Sequence, residues 1–137
     1  MQTCQYPSES EFNQMTLQVG FVGSDGIVIA SDMRVINYTG TEPCYSRESK
    51  ILASRDALCC WSGDRVSLYA ADTISRTEWR KLPSDVESIK TKLRKIADGA
   101  WSNYKQSQGA TPPRMNRTVM MALYEQKSLW VLEIERH

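Results

Sequence analysis

A chain that hydrolyses bonds needs a nucleophile, a base and donors for developing negative charge, and here the choice of base is narrow. The one histidine is His137, the final residue, a position prone to fray. A Ser-His or Cys-His pair would need its base there, and zinc sites that rely on histidine are disfavoured for the same reason. Cys4, Cys44, Cys59 and Cys60 lack metal-ligand spacing. Adjacent Cys59 and Cys60 lie in the apolar run ALCCWSG and read as reduced core thiols. No metal or cofactor is expected. Residues with useful chemistry gather instead in TLQVGFVGSDGIVIASDMR (16–34), which begins with Thr16 and ends with Asp32 and Arg34.

The elements that must position them follow from periodicity. TLQVGFV alternates, with Leu17, Val19 and Phe21 on one face, the pattern of a half-buried strand. Gly23-Ser-Asp-Gly26 is a turn with glycines available for positive φ. IVIAS is a nearly continuous apolar run and predicts a strand buried on both faces. The two strands form a hairpin that brings Thr16 level with Asp32 and Arg34. Residues 35–48 are polar and turn-rich, a loop or short irregular hairpin. KILAS (50–54) and ALCCWSG (57–63) are short strands around the charged turn Arg55-Asp56.

Asp64 is placed to cap a helix from Arg65 to about Trp79, with Val66, Tyr69, Ala70, Thr73 and Ile74 on one face. Pro83-Ser84 opens a second helix, Ser84 and Glu87 being spaced as a capping box. Its stripe from Val86 to Tyr104 keeps the helical period over about 22 residues, roughly 33 Å, and reads as a face packed on a sheet. QSQGATPPRMN is a loop broken by Gly109, Pro112 and Pro113. RTVMMALYE (117–125) and SLWVLEIER (128–136) close the chain as two strands joined at Gln126-Lys127. Hairpin, short strands, two helices and hairpin argue for α+β with antiparallel pairing.

The bulk numbers exclude several partners. With 137 residues the chain suits one domain with a real core. Seventeen Lys and Arg against sixteen Asp and Glu give a net charge of +1, no reason to expect nucleic acid or an anionic membrane. No apolar run approaches the roughly 18 residues of a membrane span. Residues 1–15 read as a polar leader without the basic and apolar regions of a signal peptide. A cytoplasmic location follows, and the sequons at Asn37 and Asn116 are then inert.

Residues 16–34, then SKI (49–51), then CCWSGD (59–64), resemble the proteasome β-subunit family of N-terminal-nucleophile hydrolases. That family opens its mature chain with a threonine on a strand ending Val-Gly, here Thr16 and Val19-Gly20. A second strand ends Ala-x-Asp-x-Arg, here Ala30 to Arg34. A later strand supplies a lysine, here Lys50, and a small residue plus glycine, here Ser62-Gly63, precedes the first long helix. The resemblance divides the chain into a leader at 1–15 and a partial N-terminal-nucleophile domain at 16–137. It implies an αββα sandwich of antiparallel sheets, of which the second helical layer is missing, and one apolar sheet face without helix cover.

The resemblance also implies a chemistry that needs no histidine. In such enzymes the nucleophile is the first residue, and its own α-amine, with an ordinary pKa of about 8, accepts the hydroxyl proton. Thr16 would supply both groups. Lys50 would favour the alkoxide-like form of its oxygen, Asp32 would orient Lys50, and Arg34 would steady Asp32. The Gly63 N–H would be the oxyanion donor, and Trp61 would line the first specificity pocket. The implied function is threonine-type endopeptidase activity in a ring of like subunits acting on peptides or unfolded proteins, with an ATP-dependent unfoldase among the partners the resemblance allows. The alternatives are a non-catalytic structural subunit or pseudoenzyme, and a small-molecule amidase of the same fold.

One departure bears directly on Thr16. Family members that process themselves carry glycine before the threonine, whereas Met15 stands here. If Met15 is the true start and an aminopeptidase removes it, Thr16 gains a free amine. With residues 1–15 retained, that nitrogen is an amide and cannot act as a base.

Overall fold

Alternation in ALCCWS and TVMMAL sends successive side chains to opposite faces of a strand, and both faces are apolar, so the sheet they form must be covered twice. The computed structural model describes residues 17–39, 42–108 and 115–135, with the side chains of 34–46 outside the description. Its strands are β1 (Gln18–Val22), β2 (Ile27–Ser31), β3 (Arg34–Thr39), β4 (Glu42–Arg47), β5 (Ile51–Ala53), β6 (Ala57–Ser62), β7 (Thr118–Leu123) and β8 (Ser128–Glu133). The helices are α1 (Arg65–Arg76) and α2 (Val86–Gln108), with a short 3-10 turn at Trp79–Lys81 between them. β5, β6, β7 and β8 form one antiparallel sheet in that order, while β1–β2 and β3–β4 are separate antiparallel hairpins. The protein is α+β, and the described part of the segment expected as a loop or irregular hairpin forms the antiparallel β3–β4 pair, Arg34–Thr39 with Glu42–Arg47.

Helices cover one face of the four-stranded sheet. Ala57, Cys59 and Trp61 of β6 and Val119, Met121 and Leu123 of β7 pack there against Val66, Ala70 and Ile74 of α1 and Ile89, Leu93 and Ile96 of α2. Each fully buried residue of valine or isoleucine size stabilises by about 1.5–3 kcal/mol, so this layer holds most of the fold. Asp64 caps α1 by accepting the Val66 N–H at 3.1 Å. At α2 the expected Ser84–Glu87 box gives way to Asp85, whose carboxylate accepts the Ser88 N–H at 3.0 Å. No helix of the described residues is long and apolar enough to cross a membrane.

The β1–β2 hairpin covers the opposite face. Ile29 packs on Cys60 and Ala122, flanked by Ile27, Ile51, Leu58, Met120 and Leu129. This second core is much smaller. Gly20 lets the hairpin sit close, because a Cβ there would stand 2.8 Å from both Leu129 Cδ2 and Met120 Sδ. Gln18 reaches the sheet as well, donating to the Cys60 carbonyl at 3.1 Å and accepting the Thr118 hydroxyl at 2.8 Å.

Two expectations for this hairpin are corrected. Leu17 and Phe21, expected to face the core, are each 67% exposed, while Gln18 and Gly20 on the other face meet the sheet. β2 is buried on one face and not on both: Ile29 is buried and Val28 is 62% exposed. The strand alternates as its sequence does, but no described element covers the outward side. The Gly23–Gly26 turn also closes without a left-handed glycine, the Gly23 N–H donating to the Gly26 carbonyl at 2.8 Å.

Candidate active site

All the strands around the candidate residues begin or end at one edge of the layers. β1 and β7 start there, β2 and β6 finish there, and β5 leaves from it. The Asp32 N–H donates to the Leu17 carbonyl at 3.2 Å, extending the hairpin ladder one step past the Gln18–Ser31 pair. Thr16 itself lies outside the described residues, one position before this contact.

Lys50 and Asp32 meet at this edge. Lys50, immediately before β5, is buried, 4% exposed, and its Nζ donates to Asp32 Oδ1 at 2.9 Å. A buried ammonium is costly unless it is paired, and the Asp32 carboxylate supplies that pairing. The Lys50 carbonyl accepts the Trp61 N–H at 3.1 Å, which fixes Lys50 to the end of β6. Asp32, whose side chain is 38% exposed, faces both the ammonium and the solvent. The Lys50–Asp32 pair is thereby tied to the entry of the first hairpin, since the backbone of Asp32 bonds to Leu17.

Gly63 follows β6 directly and is the one glycine among the described residues with positive φ, +116°. A Cβ there would stand 3.0 Å from Arg117 Cγ, 3.0 Å from Ser67 Oγ and 3.1 Å from the Asn116 carbonyl oxygen. Both conformation and space therefore require glycine. Trp61 belongs to the helix-facing core, which is sufficient reason for a tryptophan at that position. Arg34 opens β3 opposite Arg47, and its expected contact with Asp32 lies outside the described residues because its side chain does. The adjacent thiols are core residues. Burial pushes Cys59 up to about 12 and also raises Cys60, the latter opposed by hydrogen bonds from Met120 and Gln18.

One group here was not legible in the sequence. Arg117, 3% exposed, grips Asp64 with two bonds, Nε to Oδ1 at 2.8 Å and Nη2 to Oδ2 at 2.7 Å. Its guanidinium also stacks 4.9 Å from the Trp101 ring centre. The partners are 53 residues apart, and a lone arginine opening an apolar run gives no signal for such a pair.

Among the described residues no group of three or more His, Cys, Asp or Glu is placed to hold a metal ion. Comparison of the chain with protein-family models, with curated proteins and with solved structures finds no match.

Proposed function

We propose that the edge formed by β1, β2, β5 and Gly63 is the site of a threonine-type N-terminal-nucleophile hydrolase, a peptidase of the proteasome β type working in a ring of like subunits. The observation that carries this reading is the buried Lys50 ammonium, paired with Asp32 at 2.9 Å where the chain enters β1. In the proposed mechanism Thr16 Oγ attacks the peptide carbonyl and its own amine takes the proton. Lys50 lowers the cost of charge on Oγ, Asp32 orients Lys50, and Arg34 steadies Asp32. The Gly63 N–H donates to the oxyanion, and Trp61 borders the specificity pocket. The helical layer, the four-stranded sheet and the hairpin then correspond to three layers of an αββα sandwich. Substrates are peptides or unfolded proteins, delivered by an ATP-dependent unfoldase.

A second reading draws on the apolar outward face of the hairpin, with Leu17, Phe21 and Val28 exposed. That face favours a non-catalytic subunit that keeps the fold for assembly. A peptide epoxyketone, which must react with a hydroxyl and a free amine on one residue, separates the two. Protein whose mature N-terminus is Thr16 should gain one inhibitor mass on that residue, and Lys50→Met should abolish the gain. Processed protein that stays unmodified, or a native chain that keeps residues 1–15, refutes the catalytic reading and leaves the scaffold.

A further inference from the structure

Gly63 is anchored on both sides, and the two anchors are unequal. On the β6 side the Trp61 N–H donates to the Lys50 carbonyl at 3.1 Å. On the α1 side the next residue, Asp64, is held at both carboxylate oxygens. Oδ1 accepts the Val66 N–H at 3.1 Å and Arg117 Nε at 2.8 Å, and Oδ2 accepts Arg117 Nη2 at 2.7 Å. Arg117 is itself fixed by stacking on Trp101, and its Nη1 donates to the Met115 carbonyl at 3.4 Å.

Glycine alone does not hold a φ of +116°, since its backbone visits many other conformations at little cost. Ser67, the other polar neighbour, does not supply the restraint: its Oγ is buried and forms no hydrogen bond with the described residues. The fork from β7 to Asp64 does. Two parallel charge-assisted bonds set the plane of the carboxylate as well as its distance, and with it the backbone just after Gly63. Arg117 Cγ also stands against the open side of the Gly63 Cα.

We infer that Arg117 is a positioning residue, aiming the Gly63 N–H through Asp64 so that it meets the oxyanion as a preorganised donor. The inference rests on the proposed role of Gly63 and adds to it a residue that touches neither substrate nor nucleophile. A donor that must find its direction during the reaction loses most of its value, and misplacement by about 1 Å can cost on the order of 100-fold in rate. The charge of Arg117 is secondary to its fork, so lysine is not an adequate replacement.

The test compares wild type with Arg117→Lys, both with Thr16 as mature N-terminus and both verified as folded by circular dichroism. Inactivation by a peptide epoxyketone is resolved into reversible affinity and maximal rate, and amide hydrogen exchange is followed at Gly63, Cys60 and Met121. Arg117→Lys should lower the maximal rate about 100-fold with affinity little changed, and should speed Gly63 exchange on the order of tenfold relative to the two strand amides. An unchanged maximal rate overturns the inference, as does Gly63 exchange that rises only in step with Cys60 and Met121. A wild type that forms no adduct overturns the catalytic reading. The exchange measurement then decides by itself whether Arg117 holds Gly63.

Discussion

Replacing Gly63 with alanine adds one carbon where three groups already stand. The new Cβ would lie 3.0 Å from Arg117 Cγ, 3.0 Å from Ser67 Oγ and 3.1 Å from the Asn116 carbonyl oxygen. The Asn116 oxygen is backbone, and Arg117 is fixed by Asp64 and Trp101, so two of the three cannot yield cheaply. Holding a non-glycine residue at φ +116° adds about 1–3 kcal/mol of strain. Overpacking adds about 1–3 kcal/mol, and the stiffer unfolded chain returns roughly 0.4–1 kcal/mol. Gly63→Ala should therefore destabilise by about 1–5.5 kcal/mol, a melting point lower by roughly 4–19 °C for a chain of this length. Gly20→Ala is the control. Its Cβ would approach Leu129 Cδ2 and Met120 Sδ at 2.8 Å, but these are ends of flexible side chains and φ is not positive. Its loss should be about 1 kcal/mol. Urea unfolding of both variants measures the difference. A Gly63→Ala protein as stable as wild type, or less affected than Gly20→Ala, would refute the reasoning.

Further expectations concern charge, thiols and the outward face. Burial pushes the Asp56 carboxyl up, but hydrogen bonds from the Arg80 N–H and guanidinium outweigh it and leave its pKa below the ordinary value. A lowered folded pKa contributes stability above the ordinary carboxylate range that is lost as pH falls through the folded value. Asp56→Asn should therefore flatten the acid limb of the stability profile, and an unchanged limb below pH about 4 would count against the pair. For Cys59, with a thiol raised to about 12, the sign is opposite: its contribution is complete below the ordinary thiol value and declines as pH rises toward 12. Cys59 and Cys60 should resist a thiol reagent at pH 8 until denaturant is added, and prompt labelling of either in the native protein would contradict their burial. Phe21→Ser should change stability by less than about 0.5 kcal/mol while lowering binding of a hydrophobic dye. A large loss of stability would mean that this face is covered in solution.

Strand and helix positions were legible because they depend on local pattern. The short apolar runs of β6 and β7, the capping position of Asp64 and the stripe of α2 each needed only a few neighbouring residues. Which face of a strand is buried is a different kind of fact. Leu17 and Phe21 form a clean apolar face in sequence, yet the Gln18 and Gly20 face meets the sheet. Glycine permits the close approach, and glutamine offers both a donor and an acceptor at the sheet end. Ser84 and Asp85 are both good caps, and the path of the chain into α2 selected Asp85.

By itself the sequence determined the order of elements, the antiparallel α+β class, the lack of any histidine before residue 137, and the grouping of Asp32 with the start of the first strand. Only the tertiary structure decided that Lys50 is buried against Asp32, that the hairpin turns an apolar face outward, and that Arg117 closes on Asp64 beside Gly63. Periodicity is a local property, read over one or two turns of chain. A buried ion pair depends on two segments meeting at a set distance, and that distance exists only after the layers have packed.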